Sequence, residues 1–176
     1  SRTIRVVDSL SAALGEGLLV YHACELKEQG KSLAEVADWL EENKLKCCHW
    51  FTVDNLYHLF KGGRVKASGY LLAMALSVKP MMHMDDEGHL VPVGKVIGRK
   101  KSILTLAEQI ATSIVNSEEQ VIFISHGDCV EEAEFLAKKI KEKVRVKDVV
   151  INMLEPVIGA HSGPGTMAVF CLGEHR

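Results

Sequence analysis

Apolar residues recur at two spacings along this chain, and the switches between them mark out its elements. Leu33, Val36, Ala37 and Leu40 fall at i, i+3, i+4 and i+7, the stripe of an amphipathic helix. Ser32 and Glu35 open that stripe as an S-x-x-E capping box. Residues 15–29 read as an earlier helix, with Leu18, Leu19, His22 and Leu26 near one face and Gly30 ending it. Ile103, Ala107, Ile110 and Ile114 line one side of a helix over 100–116. Ala133, Leu136, Ala137 and Ile140 do the same over 130–144. Short β-branched and aromatic runs at 4–8, 47–53, 121–125, 149–154 and 166–172 predict strands.

Turn residues supply the connections. Runs at 78–84 and 89–96 flank Asp85-Asp86-Glu87-Gly88, which predicts a hairpin. Pro80 and Pro92 place its strands at sheet edges or near strand starts. Asp54 is positioned to N-cap a short helix over 55–61, with Leu56, Leu59 and Phe60 inward and Gly62-Gly63 closing it. Small apolar residues over 68–76 predict one more helix. Mixed hairpin and crossover connections predict an α/β class with a mixed sheet. A division near Val53 and Asp54 would separate residues 1–53, the remainder of a first α/β lobe, from 54–176, a second α/β lobe.

Composition narrows the function classes. A chain of 176 residues buries roughly 70% of its unfolded surface, so a full core is available. Net charge is −2, and the one basic cluster, Arg99-Lys100-Lys101, reads as a solvated helix start. Nucleic acid is therefore not an expected partner, since phosphate binding needs clustered cations. Five cysteines (Cys24, Cys47, Cys48, Cys129 and Cys171) occur without a C-x-x-C pair. They read as reduced thiols of a cytoplasmic protein. No apolar run reaches the ~18 residues of a membrane span. The chain opens Ser1-Arg2-Thr3-Ile4, without Met or a signal pattern, and reads as cut from a longer one or processed.

The stretch from Val157 to Thr166 carries the strongest chemical signal. Gly159, Gly163, Gly165 and Pro164 surround His161 and Ser162, just before the last apolar run. Glycine permits tight turns and close backbone approach. The expectation is a rigid exposed loop that offers an imidazole and free backbone N–H groups to an anion or carboxylate. A structural loop with an incidental histidine fits the same residues. Lys61-Gly62-Gly63-Arg64 makes a sharp turn that holds Arg64 at a fixed place, suited to a carboxylate or phosphate. A helix end followed by a surface arginine fits it too.

Other constellations are weaker. Ser162 beside His161, with Asp128 or Glu155, suggests a Ser/His hydrolase acting on acyl substrates, but no G-x-S-x-G elbow is present. His83, His89, His126, Asp128 and His161 lack the spacing of a metal site. Cys129 reads as a half-buried structural thiol. Met74, Met81, Met82 and Met84 suit core packing or a flexible ligand.

Several segments occur together in a recognisable order. They are Val7-Asp8-Ser9-Leu10-Ser11, Gly17-Leu18-Leu19-Val20, Phe51-Thr52-Val53-Asp54-Asn55-Leu56, Lys61-Gly62-Gly63-Arg64, Val78-Lys79-Pro80 and Gly159-Ala160-His161-Ser162-Gly163-Pro164-Gly165. This set resembles the DegV family of bacterial lipid-binding proteins, over nearly the whole chain. The resemblance implies a two-lobe architecture in which one long-chain fatty acid lies in an apolar tunnel between the lobes. It implies presentation of the carboxylate to a separate fatty-acid kinase, in phospholipid metabolism, with no catalysis and no cofactor of its own. Transient contact with a membrane surface goes with that role. By resemblance, His161, Ser162, Gly163 and Gly165 belong to the head-group region, and Arg64 lies near it or on the kinase-facing rim. Leu71, Leu72, Ala75 and Met81 become candidates to line the acyl tunnel. A whole member would carry further chain before Ser1. Two departures are visible: Ile97 stands where the family's K-x-R-G arginine falls, with Arg99 following, and Ala13-Leu14 replace a common serine.

Overall fold

The computed structural model of the chain describes residues 2–65 and 77–176. Its centre is a six-stranded mixed sheet. The strands are β1 (Cys47–Thr52), β2 (Val78–Met84), β3 (Leu90–Ile97), β4 (Val121–His126), β5 (Asp148–Met153) and β6 (Met167–Leu172). Their spatial order is β3-β2-β1-β6-β4-β5, and β4·β5 is the parallel pair among antiparallel neighbours. The helices are α1 (Leu14–Glu28), α2 (Leu33–Asn43), α3 (Tyr57–Lys61), α4 (Arg99–Ser113), α5 (Val130–Lys143) and α6 (Pro156–Ser162). The mixed α/β class expected from the sequence is the class observed.

Strand periodicity divides the interior in two. Ile122, Ile124, Val169 and Cys171 face α4 and α5, where they pack against Ile103, Leu106, Ile110, Leu136 and Ile140. Cys47, Phe51, Phe123, Ala168 and Phe170 face the other way, against Leu18 and Leu19 of α1 and Leu59 of α3. Leu18 and Leu106 are fully buried, each worth about 1.5–3 kcal/mol of hydrophobic stabilisation. β4 is buried along its whole length and β3, at the sheet edge, is largely exposed. The expected boundary at Val53 and Asp54 falls inside this sheet: β1 lies before it and hydrogen-bonds to β2 and β6, both beyond it.

Local signals account for most elements. Ser32 caps α2 reciprocally: its Oγ accepts from Glu35 N at 3.3 Å, and its N donates to Glu35 Oε2 at 2.8 Å. The Ser32 N–H and the Ser32 hydroxyl, which both donate to the Glu35 carboxylate, hold that carboxyl down at about 2. Pro80 is tolerated inside β2 because β1 pairs with that strand at Trp50↔His83 and Phe51↔Met82, leaving Pro80 beyond the shared ladder.

Three expectations need correction. Residues 4–8 form no strand: Ile4 and Val6 are 82% and 88% exposed, and the segment meets no sheet edge that would satisfy its backbone. Asp54 does not cap α3, which starts at Tyr57. Its carboxylate pairs with the Lys79 ammonium instead, and Asn55 Oδ1 accepts from Tyr57 N at 2.8 Å. The stretch from Val157 is not a loop, because Pro156 at the first helical position starts α6, which runs to Ser162. The helix expected over 68–76 lies outside the described residues.

Candidate functional site

The two glycine motifs meet in space. α3 and α6 lie side by side, and each places a histidine over the other's glycine. A β-carbon on Gly62 would stand 2.3 Å from His161 Nδ1, and one on Gly163 would stand 2.4 Å from the His58 ring. A side chain at either position would have to displace the imidazole that faces it. Gly163 also needs its backbone freedom, since its φ is 81°. The turn that follows is held to the end of β4: Gly127 N donates to Thr166 O at 2.8 Å, and Gly165 N donates to Gly127 O at 2.7 Å.

Beside this junction lies an apolar cavity of about 160 Å³. Phe51, Ala168 and Phe170 form its floor from the sheet. Leu59 of α3, Leu154 and Ile158 of α6 close its sides. Arg64, His161, Ser162 and Thr166 gather at one part of the wall, and Ala12, Ala13 and His49 at another. An apolar hollow with a few convergent polar groups is the usual form of a small-molecule site. Arg64 is exposed, His161 is half-buried and Ser162 is buried. The cavity thus has a cationic, accessible rim and an apolar interior.

Each expected site residue can be placed. Arg64, His161 and Ser162 are brought together in the cavity wall. Gly163 and Gly165 are not part of that wall. Their N–H groups are already donated, to Gly159 O at 2.8 Å and to Gly127 O at 2.7 Å, so neither is free for an anion. Their role is steric, passing the chain close to His58 and Asp54. Ser162 Oγ donates to Ile158 O at 2.9 Å. Met81 belongs to the core on the opposite sheet face, with Ile103 and Leu106. Strand alternation turns Met82 and Met84 toward the cavity side instead, and Met84 lines it. Leu71, Leu72 and Ala75 lie outside the described residues.

Hydrolase geometry is not assembled. His161 and Ser162 are consecutive residues of one helix, whose side chains do not face each other. Cys129 is no activated nucleophile either, because burial pushes its thiol up. Among the described residues, no group of three His, Cys, Asp or Glu side chains is placed to hold a metal ion. Nor is any helix among them long and apolar enough to cross a membrane.

Sequence reasoning missed most of the apolar lining, and among the polar cavity residues it missed Thr166 and His49. His49 is 3% exposed, and its Nδ1 lies 2.7 Å from Cys47 O. Burial, helped by the Arg176 guanidinium, holds its pKa down at about 3, so the ring is neutral. The available signal was its phase: His49 sits between Cys47 and Phe51 on the inward-facing positions of its strand.

Comparison with known proteins agrees with this architecture. A DegV domain-containing protein of Clostridium perfringens is 50% identical over 173 residues, covering 98% of this chain and 60% of that protein. A solved DegV family structure from Ruminococcus gnavus, described with vaccenic acid, superposes with a TM-score of 0.87 at 27% identity, covering 97% of this chain and 60% of that one. A Thermotoga maritima structure described as revealing fatty acid binding function superposes at 0.81 with 29% identity, covering 95% and 58%. The chain therefore spans about 60% of the length of the relatives it matches. The family model described as DegV, a family of uncharacterised proteins, matches residues 1–174, and the chain belongs to the DegV family.

Proposed function

We propose that this chain binds a long-chain fatty acid, with the carboxylate toward Arg64 and His161 and the alkyl chain along Phe51, Ala168 and Phe170. One observation carries the reading: the two glycine motifs converge on one wall of an otherwise apolar cavity. Relatives described as fatty-acid binding, at 27–29% identity, support it. Burying a sixteen-carbon chain contributes on the order of 12 kcal/mol gross, at ~0.8 kcal/mol per CH₂. A charge-assisted hydrogen bond adds only about 1.5–3 kcal/mol. The apolar wall therefore dominates affinity, and the polar wall sets which end faces out.

The cavity, at about 160 Å³, is smaller than the roughly 300 Å³ lower bound of typical ligand pockets. It holds part of such a chain. Leu71, Leu72 and Ala75 remain candidates for a further stretch of tunnel, as does the portion of the relatives' length that these residues do not span. We take the protein to be a non-catalytic lipid carrier of a reducing, cytoplasmic compartment. Its exposed Arg64 rim would offer the carboxylate to a fatty-acid kinase, the partner that the family resemblance implies.

Native mass spectrometry followed by denaturing extraction tests the reading. A stoichiometric co-purified fatty acid is the expected result. A protein that takes up no fatty acid, either on purification or on addition of oleic acid, overturns it.

A further inference from the structure

The His161 imidazole stands in the cavity wall without a tether of its own. Among the described residues its ring makes no hydrogen bond and no ion pair, so packing sets which way it points. That packing comes from α3, through two contacts. Gly62 lies under the ring, where an added β-carbon would stand 2.3 Å from His161 Nδ1. One turn earlier on α3, the His58 ring covers Gly163, the residue that ends α6 two positions after His161. An added β-carbon on Gly163 would meet His58 Cδ2 at 2.4 Å, Cγ at 2.7 Å and Nε2 at 2.9 Å. Three ring atoms share that contact, so the ring as a body covers the glycine. The Tyr57 ring meets His58 edge-on, with centroids 5.8 Å apart. Gly163 is itself pinned: its N donates to Gly159 O at 2.8 Å, and its O accepts from Thr166 Oγ1 at 2.7 Å.

We propose that His58 is a positioning residue: seated on Gly163, it fixes the end of α6 and so aims the His161 imidazole at the carboxylate. This rests on the fatty-acid reading above. His58 lines no part of the cavity, so it acts through His161 and not on the ligand. Among the described residues its ring makes no hydrogen bond and no ion pair, so shape is what it contributes. The two contacts interlock. His58 and Gly62 stand one turn apart on one face of α3, joined by the bond from Gly62 N to His58 O at 2.8 Å. Gly163 and His161 face them from α6. Without the His58 ring, one end of this mesh opens, α6 can tilt, and the imidazole loses its fixed angle. An imidazole ordered beforehand gives up less freedom when the carboxylate arrives.

A double-mutant cycle on oleic acid binding tests this. His58→Ala is expected to weaken binding about fivefold in the otherwise unmutated chain. In a His161→Ala background the same substitution should change affinity by no more than about twofold, because the group it positions is gone. His58→Phe keeps a flat ring on Gly163 and should bind within about twofold of the parent. Unchanged affinity in His58→Ala overturns the proposal. So does an equal loss in both backgrounds, which is what a general loosening of the cavity would give. A His58→Phe variant as weak as His58→Ala overturns it too, since shape would then not be the contribution. Failure of the parent to bind oleic acid is a different result: it removes the fatty-acid reading itself. Should His58→Ala fail to fold, His58→Asn, with a smaller flat side chain, decides by the same comparison of backgrounds.

Discussion

Gly62 and His161 compete for one space: a β-carbon on Gly62 would stand 2.3 Å from His161 Nδ1. Gly62 has φ −74°, which alanine adopts freely. Gly62→Ala should therefore spare the backbone and push the imidazole aside. The expected outcome is stability within about 1 kcal/mol of the parent and fatty-acid binding weakened about tenfold. Thermal unfolding and equilibrium binding check the two halves separately.

Gly163→Ala acts on the same junction with the opposite balance. Its φ is 81°, and the added methyl meets the His58 ring at 2.4 Å. Strain and clash together should cost on the order of 1–3 kcal/mol of stability. A denaturant titration showing no loss would mean that α3 and α6 are free to separate.

His161→Ala and Ser162→Ala should differ although they are neighbours. Removing the imidazole takes away a polar contact at the carboxylate end and should weaken binding about tenfold. The Ser162 hydroxyl is already committed to Ile158 O, so its loss should change affinity by no more than about threefold. Comparing the two dissociation constants tests the placement of the head group. Neither variant should alter ester turnover, which the hydrolase reading would require.

His49 should make stability pH-dependent. Its pKa is about 3 when folded, against 6.5 for a free histidine. Between those values the unfolded chain binds a proton that the folded chain does not. Stability contributed by the neutral ring is complete above pH 6.5 and falls as pH drops toward 3. The slope is about 1.4 kcal/mol per pH unit. Urea titrations across that window should show the slope in the parent and its loss in His49→Phe.

Ser32→Ala provides a control at a distance from the site. Loss of the reciprocal cap on α2 should cost about 1 kcal/mol. Retention of a bound fatty acid, measured by extraction and mass spectrometry, should be unaffected, since Ser32 lines no part of the cavity.

The fold is legible in the sequence where the deciding interactions are local. The capping box at Ser32 and Glu35, the hairpin around Asp85 to Gly88, and the stripes of α4 and α5 all rest on contacts within a few residues. The failures have a common cause too. Residues 4–8 have strand composition, but a strand needs an edge to pair with, and the sheet edges are β3 and β5. Asp54 has the chemistry of a cap and is taken by Lys79, a residue 25 positions away. Met81 and Met84 look alike in sequence and end on different sheet faces, a matter of phase along one strand.

Element types, the α/β class and the two glycine motifs were thus legible from residue order, because backbone propensity and periodicity act over short range. Their meeting was not. That Gly62 lies under His161, and that His49 shares a cavity with both His161 and Arg64, depends on β1 pairing with β6 across more than a hundred residues of chain. Such pairings are selected by the packing of two whole sheet faces, and no local pattern encodes them.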